Sequence, residues 1–226
     1  MSLVTVHASR LAGHQTDLDN LSADEHERAA AFVFDRDRRR YQECHVRLRH
    51  QLGHYLDTTP ESLAIITGPF GKPELEGTPC HFNLSHSGDL YAAAFHPEHP
   101  IGIDIETGET NGDDLLDLVP HVCHATEKAA LERLQDPSEQ RRLFLCYWTA
   151  KEAFLKAIGC GFQHAPETVQ IVGDPFSKTA TVEASIPGTD STAWTLHFLS
   201  IADSHVLTVA APRGCLVELR ETPFDA

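Results

Sequence analysis

The order of the predicted helices and strands constrains the fold of this 226-residue chain more than any other feature. A capping box at Ser22 and Glu25 predicts a helix over residues 24–34, and a second helix is predicted from about 36 to 56. The second half loosely repeats this order, with a long amphipathic helix predicted over 138–158. Each half therefore supplies helices and then strands, which predicts an α+β fold of two similar lobes. The predicted strands cover residues 62–67, 81–85, 90–95 and 100–106, and then 168–172, 180–184, 194–200 and 205–210.

Composition and charge exclude several classes of protein. Hydrophobic residues make up 41% and charged residues 23%, as in ordinary soluble globular proteins. No apolar run approaches the roughly 20 residues that cross a bilayer, and the N-terminal residues show no secretory signal. The net charge of −15 argues against nucleic-acid binding, because phosphates would be repelled. Six scattered cysteines without a C-x-x-C pair are typical of reduced thiols and predict a cytoplasmic protein.

The segment Ile101-Gly102-Ile103-Asp104-Ile105-Glu106 is the first candidate site. Side chains two apart on a strand point to the same face, so Asp104 and Glu106 project together while Ile103 and Ile105 pack behind them. The two carboxylates would repel each other unless a cation lay between them, and all-oxygen ligation favours Mg²⁺, with Mn²⁺ as the alternative. The local pattern leaves open a strand end whose acids simply face water.

The second candidate is the helical segment from Trp148 to Lys156. Glu152 and Lys156 are four residues apart and share a helix face. Taken alone, they are well explained as a surface ion pair worth about 0.3–0.5 kcal/mol. Because aromatic and aliphatic residues surround the pair, the helix is predicted to be partly buried. There Glu152 could supply a third metal ligand, and Lys156 a positive charge for a phosphate.

The third candidate is the stretch Phe82-Asn83-Leu84-Ser85-His86-Ser87-Gly88. A strand that runs into a turn rich in hydroxyl and imidazole groups offers several donors to an anion, although an ordinary turn has the same composition. The chain has no G-x-S-x-G, Walker A or G-x-G-x-x-G sequence. Serine hydrolases and the common nucleotide-binding folds are therefore poorly supported.

Together these stretches resemble the Sfp-type 4′-phosphopantetheinyl transferases, in the order and spacing of that family. The motifs that carry the resemblance are Gly71-Lys72-Pro73, Phe82-Asn83-Leu84-Ser85-His86-Ser87, Gly102-Ile103-Asp104-Ile105-Glu106 and Trp148-x-x-Lys151-Glu152-x-x-x-Lys156. The resemblance implies two α+β lobes related by a pseudo-twofold axis, with the active site in the cleft between them. We expect residues 1–103 to form the lobe that binds coenzyme A, and residues 104–226 the lobe that carries the metal and the catalytic helix.

The resemblance also implies an enzyme that moves the 4′-phosphopantetheine arm of coenzyme A onto a serine of an acyl or peptidyl carrier protein, releasing adenosine 3′,5′-bisphosphate. Asp104, Glu106 and Glu152 would hold Mg²⁺ on the pyrophosphate. Glu152 would accept the serine proton, directly or through water, and Lys156 would assist the departing phosphate. The implied coenzyme A contacts are Lys72 in the adenine and phosphate pocket, Ser85 and His86 near the 3′-phosphate, Arg40 as a phosphate-binding arginine, and Lys156.

Arg40 lies in a basic segment of an otherwise acidic chain. Between Asp35 and His50 there are six arginines and three acids, although a solvated helix face explains any one of these arginines equally well. The family often has lysines just upstream, where this chain has Glu25 and Arg28. Arg28 is therefore the only upstream candidate for a 3′-phosphate contact.

Two other functions stay open: a non-catalytic module that binds coenzyme A or a carrier protein, and a Mg²⁺-dependent nucleotide phosphohydrolase. A monomer is expected, because the two lobes already bury surface against each other. An acidic chain should repel an acidic carrier, so docking is expected to use apolar contacts from the segment Thr107 to Pro120. A short core helix is the other interpretation of its apolar residues, which are Leu115, Leu116, Leu118 and Val119.

Overall fold

Each lobe pairs a β-sheet with a 22-residue helix in the computed structural model, which describes residues 2–13, 17–68, 70–108, 113–160, 163–201 and 205–221. The helices are α1 (Ala23–Ala30), α2 (Asp35–Leu56), α3 (Val119–Val122), α4 (Ala125–Glu132) and α5 (Pro137–Ile158). The strands are β1 (Leu3–Arg10), β2 (Ile65–Thr67), β3 (Pro73–Leu75), β4 (His81–Ser87), β5 (Leu90–His96), β6 (Gly102–Glu106), β7 (Val169–Val172), β8 (Thr179–Ala184), β9 (Trp194–Leu199), β10 (Val206–Pro212) and β11 (Leu216–Glu221).

The first sheet has the strand order β11-β1-β5-β4 and carries α2 on one face. Cys44, Leu48 and Leu52 recur every four residues, so they form a single apolar stripe along α2. This stripe packs on Tyr91 and Phe95, which point to the same side of β5. The packing fixes α2, and with it the basic segment at its start, against the first sheet.

The second sheet has the order β6-β10-β9-β8-β7, with antiparallel pairing throughout, and α5 crosses β6 and β10. The close approach of α5 to β6 depends on Gly102. A Cβ atom on Gly102 would lie 1.9 Å from the carbonyl oxygen of Ala153. Only glycine allows the backbones to come this close, and the approach brings the acidic strand β6 beside α5.

The two sheets share a buried core on the faces that α2 and α5 do not cover. Val6, Ile103, Ile105 and Val209 belong to this core. The side-chain amide oxygen of Asn83 also accepts a 2.8 Å hydrogen bond from the backbone N–H of Ile103, which ties β4 to β6. The lobes are thus joined along β4 and β6, the strands that carry candidate site residues.

The predicted α+β class with two lobes is confirmed, and α2 and α5 lie within a residue of their predicted positions. Strands β1, β3 and β11 were not predicted from the sequence. Strand β11 pairs in parallel with β1, with Leu3 opposite Leu216. The division at residues 103 and 104 stays a prediction. That boundary falls inside β6, and β11 returns the chain to the first sheet. In the described part of the chain, no helix is both long and apolar enough to cross a membrane.

Candidate functional site

A cleft of about 730 Å³ is lined by residues of both lobes. The first lobe contributes α1, α2, the β2–β3 hairpin and the end of β4, and the second lobe contributes β6 and α5. Among the residues that line the cleft are six of the predicted site residues: Ser85, His86, Asp104, Glu106, Glu152 and Lys156. The two remaining predicted residues, Arg40 and Lys72, do not line it.

The acidic strand β6 is arranged as the two-residue period predicts. Ile103 and Ile105 are fully buried in the core between the sheets. Asp104 and Glu106 point the other way and line the cleft, with Asp104 only 4% exposed. Two carboxylates therefore share one wall of the cleft.

Asp104 is connected to both lobes through one of its oxygens. Its Oδ1 accepts hydrogen bonds from Lys156 Nζ at 2.6 Å and from Ser85 Oγ at 2.8 Å. Lys156 Nζ also lies 3.1 Å from Ser85 Oγ. The other oxygen, Oδ2, is buried and has no hydrogen-bond partner in the described structure. A buried carboxylate oxygen without a partner is unfavourable, which makes it available to a cation.

The remaining two carboxylates differ in how the protein holds them. Glu106 accepts hydrogen bonds from the hydroxyl of Ser87 and from Trp148 Nε1. Glu152 makes no hydrogen bond with a described residue. Lys156 forms its ion pair with Asp104, so the alternative interpretation of Glu152 and Lys156 as a surface ion pair is not supported. Burial raises the pKa of both Glu106 and Glu152, and the charge on Asp104 raises each pKa further.

The carboxylates do not by themselves make a closed metal centre. Among the residues that the structure describes, no three His, Cys, Asp or Glu side chains lie close enough together to hold a metal ion. Mg²⁺ commonly keeps several waters and is bound through one or two carboxylates together with substrate phosphates. The unpartnered Oδ2 of Asp104 and the mutual repulsion of the carboxylates fit such a partly open site.

Basic groups gather on the side of the cleft formed by the first lobe. Partial burial lowers the pKa of His86, and the positive charges of Arg40, Lys156 and His45 lower it further. Arg40 thus lies near His86, although it is not itself part of the cleft wall. Arg28 lines the cleft directly, as the sequence allowed.

Lys72, which the resemblance places in the adenine and phosphate pocket, is bonded to backbone carbonyls in this structure. Its ammonium group donates to the carbonyl oxygens of Ile101, Lys156 and Ala157 at 3.0, 2.8 and 3.2 Å. These carbonyls belong to the end of α5 and the residue before β6, so one buried cation joins the two elements. Burial also lowers the pKa of Lys72 to about 8. Because three backbone carbonyls accept hydrogen bonds from the ammonium group, the Lys72 side chain does not line the cleft.

Lys151, which belongs to the same motif as Glu152, is a structural residue. Its side chain is fully buried and forms an ion pair of 2.7 Å with Glu127. It also donates to the carbonyl oxygens of Val122 and Val169. The motif therefore combines a residue that fixes α5 in the second lobe with residues that face the cleft.

The expected docking segment after β6 packs inward. Leu115, Leu116 and Val119 contact the core under α5, and only Leu118 is exposed, at 42%. The interpretation as a short core helix is therefore the better one for these side chains. Residues 109 to 112 of this segment lie outside the described residues.

Several residues of the cleft wall were not predicted from the sequence, among them Trp148, which donates to Glu106, and the neighbours Tyr41 and His45 on α2. The spacing of Tyr41 and His45, four residues apart, was a usable signal, because such residues lie on one helix face. Nothing in the local sequence indicated that this face would turn toward the cleft.

Comparison with known proteins gives consistent matches. Residues 100–210 match the model of the 4′-phosphopantetheinyl transferase superfamily. The chain is 34% identical over 194 residues to the 4′-phosphopantetheinyl transferase HetI of Nostoc sp., covering 84% of this chain and 78% of that protein. It is 29% identical over 204 residues to a phosphopantetheinyl transferase of Thraustochytrium sp., and the match covers 84% of this chain and 69% of that protein. The match to the solved structure of the holo-[acyl-carrier-protein] synthase of Thermotoga maritima covers 49% of this chain and 61% of that chain, with 17% sequence identity and a TM-score of 0.39.

HetI and the Thraustochytrium protein each align with 84% of this chain. The superfamily match spans β6 and α5, which carry Asp104, Glu106, Glu152 and Lys156. On the strength of the identity to HetI over most of both proteins, the chain belongs to the 4′-phosphopantetheinyl transferase superfamily and is a transferase of that kind.

Proposed function

We propose that this protein transfers the 4′-phosphopantetheine arm of coenzyme A to a serine of an acyl or peptidyl carrier protein, with release of adenosine 3′,5′-bisphosphate. The observation that carries the proposal is the contact of Lys156 with Asp104 and Ser85 in a cleft shared by two lobes. A lysine and three carboxylates there suit a reaction at a diphosphate, where negative charge must be held and then moved.

Asp104, Glu106 and Glu152 are the residues that would hold Mg²⁺, or Mn²⁺ as the alternative. The support is the unpartnered Oδ2 of Asp104 and the raised pKa of the two glutamates, which a nearby cation would relieve. When bound, such a cation neutralises charge on the phosphate oxygens. Because these three side chains do not lie close enough together to enclose a cation by themselves, phosphate oxygens and water would have to complete the ligand shell.

Glu152 and Lys156 are the proposed catalytic residues. A raised pKa makes the Glu152 carboxylate a stronger base than an ordinary glutamate. Glu152 also makes no hydrogen bond with a described residue, so no such bond competes with the serine hydroxyl for its carboxylate oxygens. Lys156 supplies a positive charge for the departing phosphate. Its hold on Ser85 and Asp104 keeps the ammonium group at the junction of the lobes.

Coenzyme A is proposed to lie along the cleft, with Ser85 and His86 as direct contacts and Arg40 adding positive charge beside His86. Lys72 is proposed to act through the end of α5, because its ammonium group is held by backbone carbonyls. A monomer, a cytoplasmic location and the absence of nucleic-acid and membrane partners complete the proposal. They are supported by the shared core of the two sheets, the six free cysteines and the net charge of −15.

The test is mass spectrometry of an apo carrier protein incubated with this protein, coenzyme A and Mg²⁺. We expect the carrier to gain the mass of one phosphopantetheine arm, and Asp104→Asn to abolish the gain. Asp117→Asn, an exposed acid outside the cleft, should leave the gain intact. Cleavage of coenzyme A without carrier modification would favour the phosphohydrolase, and binding without any product would favour the non-catalytic module.

A further inference from the structure

Trp148 lies on the face of α5 that carries the two proposed catalytic residues. Trp148, Glu152 and Lys156 follow one another at intervals of four residues, so they share one side of the helix. All three side chains line the cleft. Trp148 is half-buried, because its ring also packs against the core under α5. The core therefore holds the ring in place beside the proposed catalytic residues.

The indole N–H of Trp148 points at one oxygen of Glu106. Trp148 Nε1 donates to Glu106 Oε1 at 3.3 Å. The indole has this single donor and no acceptor, so the bond has one direction, which the packed ring sets. A buried tryptophan usually finds a partner for its N–H, and this bond taken alone is also what an ordinary core tryptophan would make.

The other oxygen of Glu106 is held from the first lobe. Ser87, the last residue of β4, donates its hydroxyl to Glu106 Oε2. That hydroxyl is itself oriented, because Ser87 Oγ accepts a hydrogen bond of 3.3 Å from the backbone N–H of Thr107. One donor on each oxygen fixes the plane of the carboxylate, and the two donors come from different lobes. The packing of a core tryptophan does not require this second bond.

Glu106 and Glu152 line the same cleft, but the protein holds only Glu106 in this way. Each oxygen of Glu106 accepts one hydrogen bond and keeps a lone pair for a cation. Glu152 makes no hydrogen bond with a described residue. Carboxylates that bind metals are commonly hydrogen-bonded by neighbouring groups that set their orientation. Glu106, proposed as a ligand alone, has such neighbours, and Glu152, proposed also to accept a proton, does not.

We propose that Trp148 is a positioning residue of the metal site, which together with Ser87 fixes the carboxylate of Glu106 in the orientation that binds Mg²⁺. The inference rests on the proposed function, in which Glu106 is a metal ligand. Trp148 and Ser87 act on the cation through Glu106 and do not touch it themselves. Removing either donor should therefore weaken the binding of the cation and leave the contacts of coenzyme A with the protein unchanged.

The experiment is a titration of the full chain with Mn²⁺, followed by electron paramagnetic resonance in the presence of coenzyme A and without a carrier protein. Trp148→Phe removes the N–H and keeps an aromatic ring. We expect the Mn²⁺ affinity to fall about tenfold or more, as for the loss of a group that orients a metal ligand, and Ser87→Ala should lower it too. The affinity of Trp148→Phe for coenzyme A, measured by calorimetry with EDTA present, should stay within about twofold of wild type.

The matched control is Trp194→Phe. Trp194 packs edge-on against Phe154 in the same core and does not line the cleft, so the same substitution there should change neither affinity. An equal loss of affinity for Mn²⁺ and for coenzyme A in Trp148→Phe would show that Trp148 only shapes the wall. An unchanged Mn²⁺ affinity, or a wild-type protein that binds no Mn²⁺, would show that its N–H positions no metal ligand. Each of these results overturns the inference.

A double-mutant cycle tests whether the effect passes through Glu106. In a Glu106→Ala background, Trp148→Phe should lower the Mn²⁺ affinity no further, and a second loss of the same size would overturn the inference. Should Trp148→Phe fail to fold, the Trp194→Phe protein has Trp148 as its one tryptophan. Its emission should change as Mg²⁺ binds, and adding Ser87→Ala should shift the midpoint to about tenfold higher Mg²⁺; an unmoved midpoint would overturn the inference.

The mass-spectrometric assay separates this inference from the proposed function. A wild-type protein whose Mn²⁺ binding depends on Trp148 and Ser87, but which loads no carrier, contradicts only the proposed function.

Discussion

At the scale of single residues, charged groups in this protein are held by more partners than a sequence pattern indicates. One carboxylate oxygen of Asp104 accepts hydrogen bonds from Lys156 and Ser85, and the other has no partner among the described residues. The carboxylate of Glu25 accepts hydrogen bonds from His45, Arg49 and the backbone N–H of Ser22. Because these contacts lower the pKa of Glu25, the effect of replacing Glu25 should depend on pH.

The first prediction concerns Glu25. Its pKa lies near 2 in the folded chain and near 4.5 when unperturbed, so its contribution to stability is fully present above about pH 4.5 and is lost as the pH falls toward 2. Glu25→Gln should therefore lower the melting temperature clearly at pH 7 and much less at pH 3. Melting curves of both proteins across this range provide the measurement. A difference that is as large at pH 3 as at pH 7 would mean that the charge on Glu25 is not what stabilises the fold.

At the scale of elements, the site depends on the contact of α5 with β6. Gly102→Ala would place a Cβ atom 1.9 Å from the carbonyl oxygen of Ala153, which is backbone and cannot move alone. The helix and strand must separate, and overpacking of this kind destabilises a protein by about 1–3 kcal/mol. Urea denaturation should show this loss, and the remaining folded protein should transfer phosphopantetheine more slowly. Wild-type stability for the variant would argue against the close approach.

The second prediction for these elements concerns Lys72, which joins the end of α5 to the residue before β6. Lys72→Met keeps the aliphatic chain but removes three hydrogen bonds to backbone carbonyls. We expect kcat to fall because Lys156 and Asp104 lose their relative placement, while KM for coenzyme A changes little. Lys72→Arg should restore part of kcat. A large rise in KM with kcat unchanged would instead support the place in the adenine and phosphate pocket that the resemblance implies for Lys72.

Periodicity made some of these elements predictable and not others. The stripe of α2, the length of α5 and the alternation of β6 follow from local spacing, so the same-face placement of Asp104 and Glu106 was correct. The alternation of Val4, Val6 and Ala8 was available for β1, but its pairing with β11 joins segments over 200 residues apart. The bonds of Lys72 to the end of α5 and of His45 to Glu25 likewise depend on tertiary packing, which no local pattern contains.

At the scale of the whole molecule, the net charge governs how a carrier protein approaches. The arginines at the start of α2 are largely paired with their own neighbours: Arg38 and Arg39 contact Asp35, and Arg36 contacts Asp37. Asp35 and Asp37 thus offset two of the four positive charges of these arginines and Arg40, and the chain as a whole carries −15. Long-range electrostatics should therefore oppose the encounter with an acidic carrier.

Salt tests this directly, because screening weakens repulsion and attraction alike. Raising the ionic strength from about 0.02 to 0.15 M shortens the screening length to about 8 Å, so association with an acidic carrier should become faster or stay unchanged. Stopped-flow measurement of kcat/KM for the carrier at saturating coenzyme A gives the rate, and a neutral carrier variant serves as the control. A steep fall in kcat/KM with added salt would show that the arginines of α2, despite their acidic neighbours, attract the carrier, and that docking takes place on the first lobe.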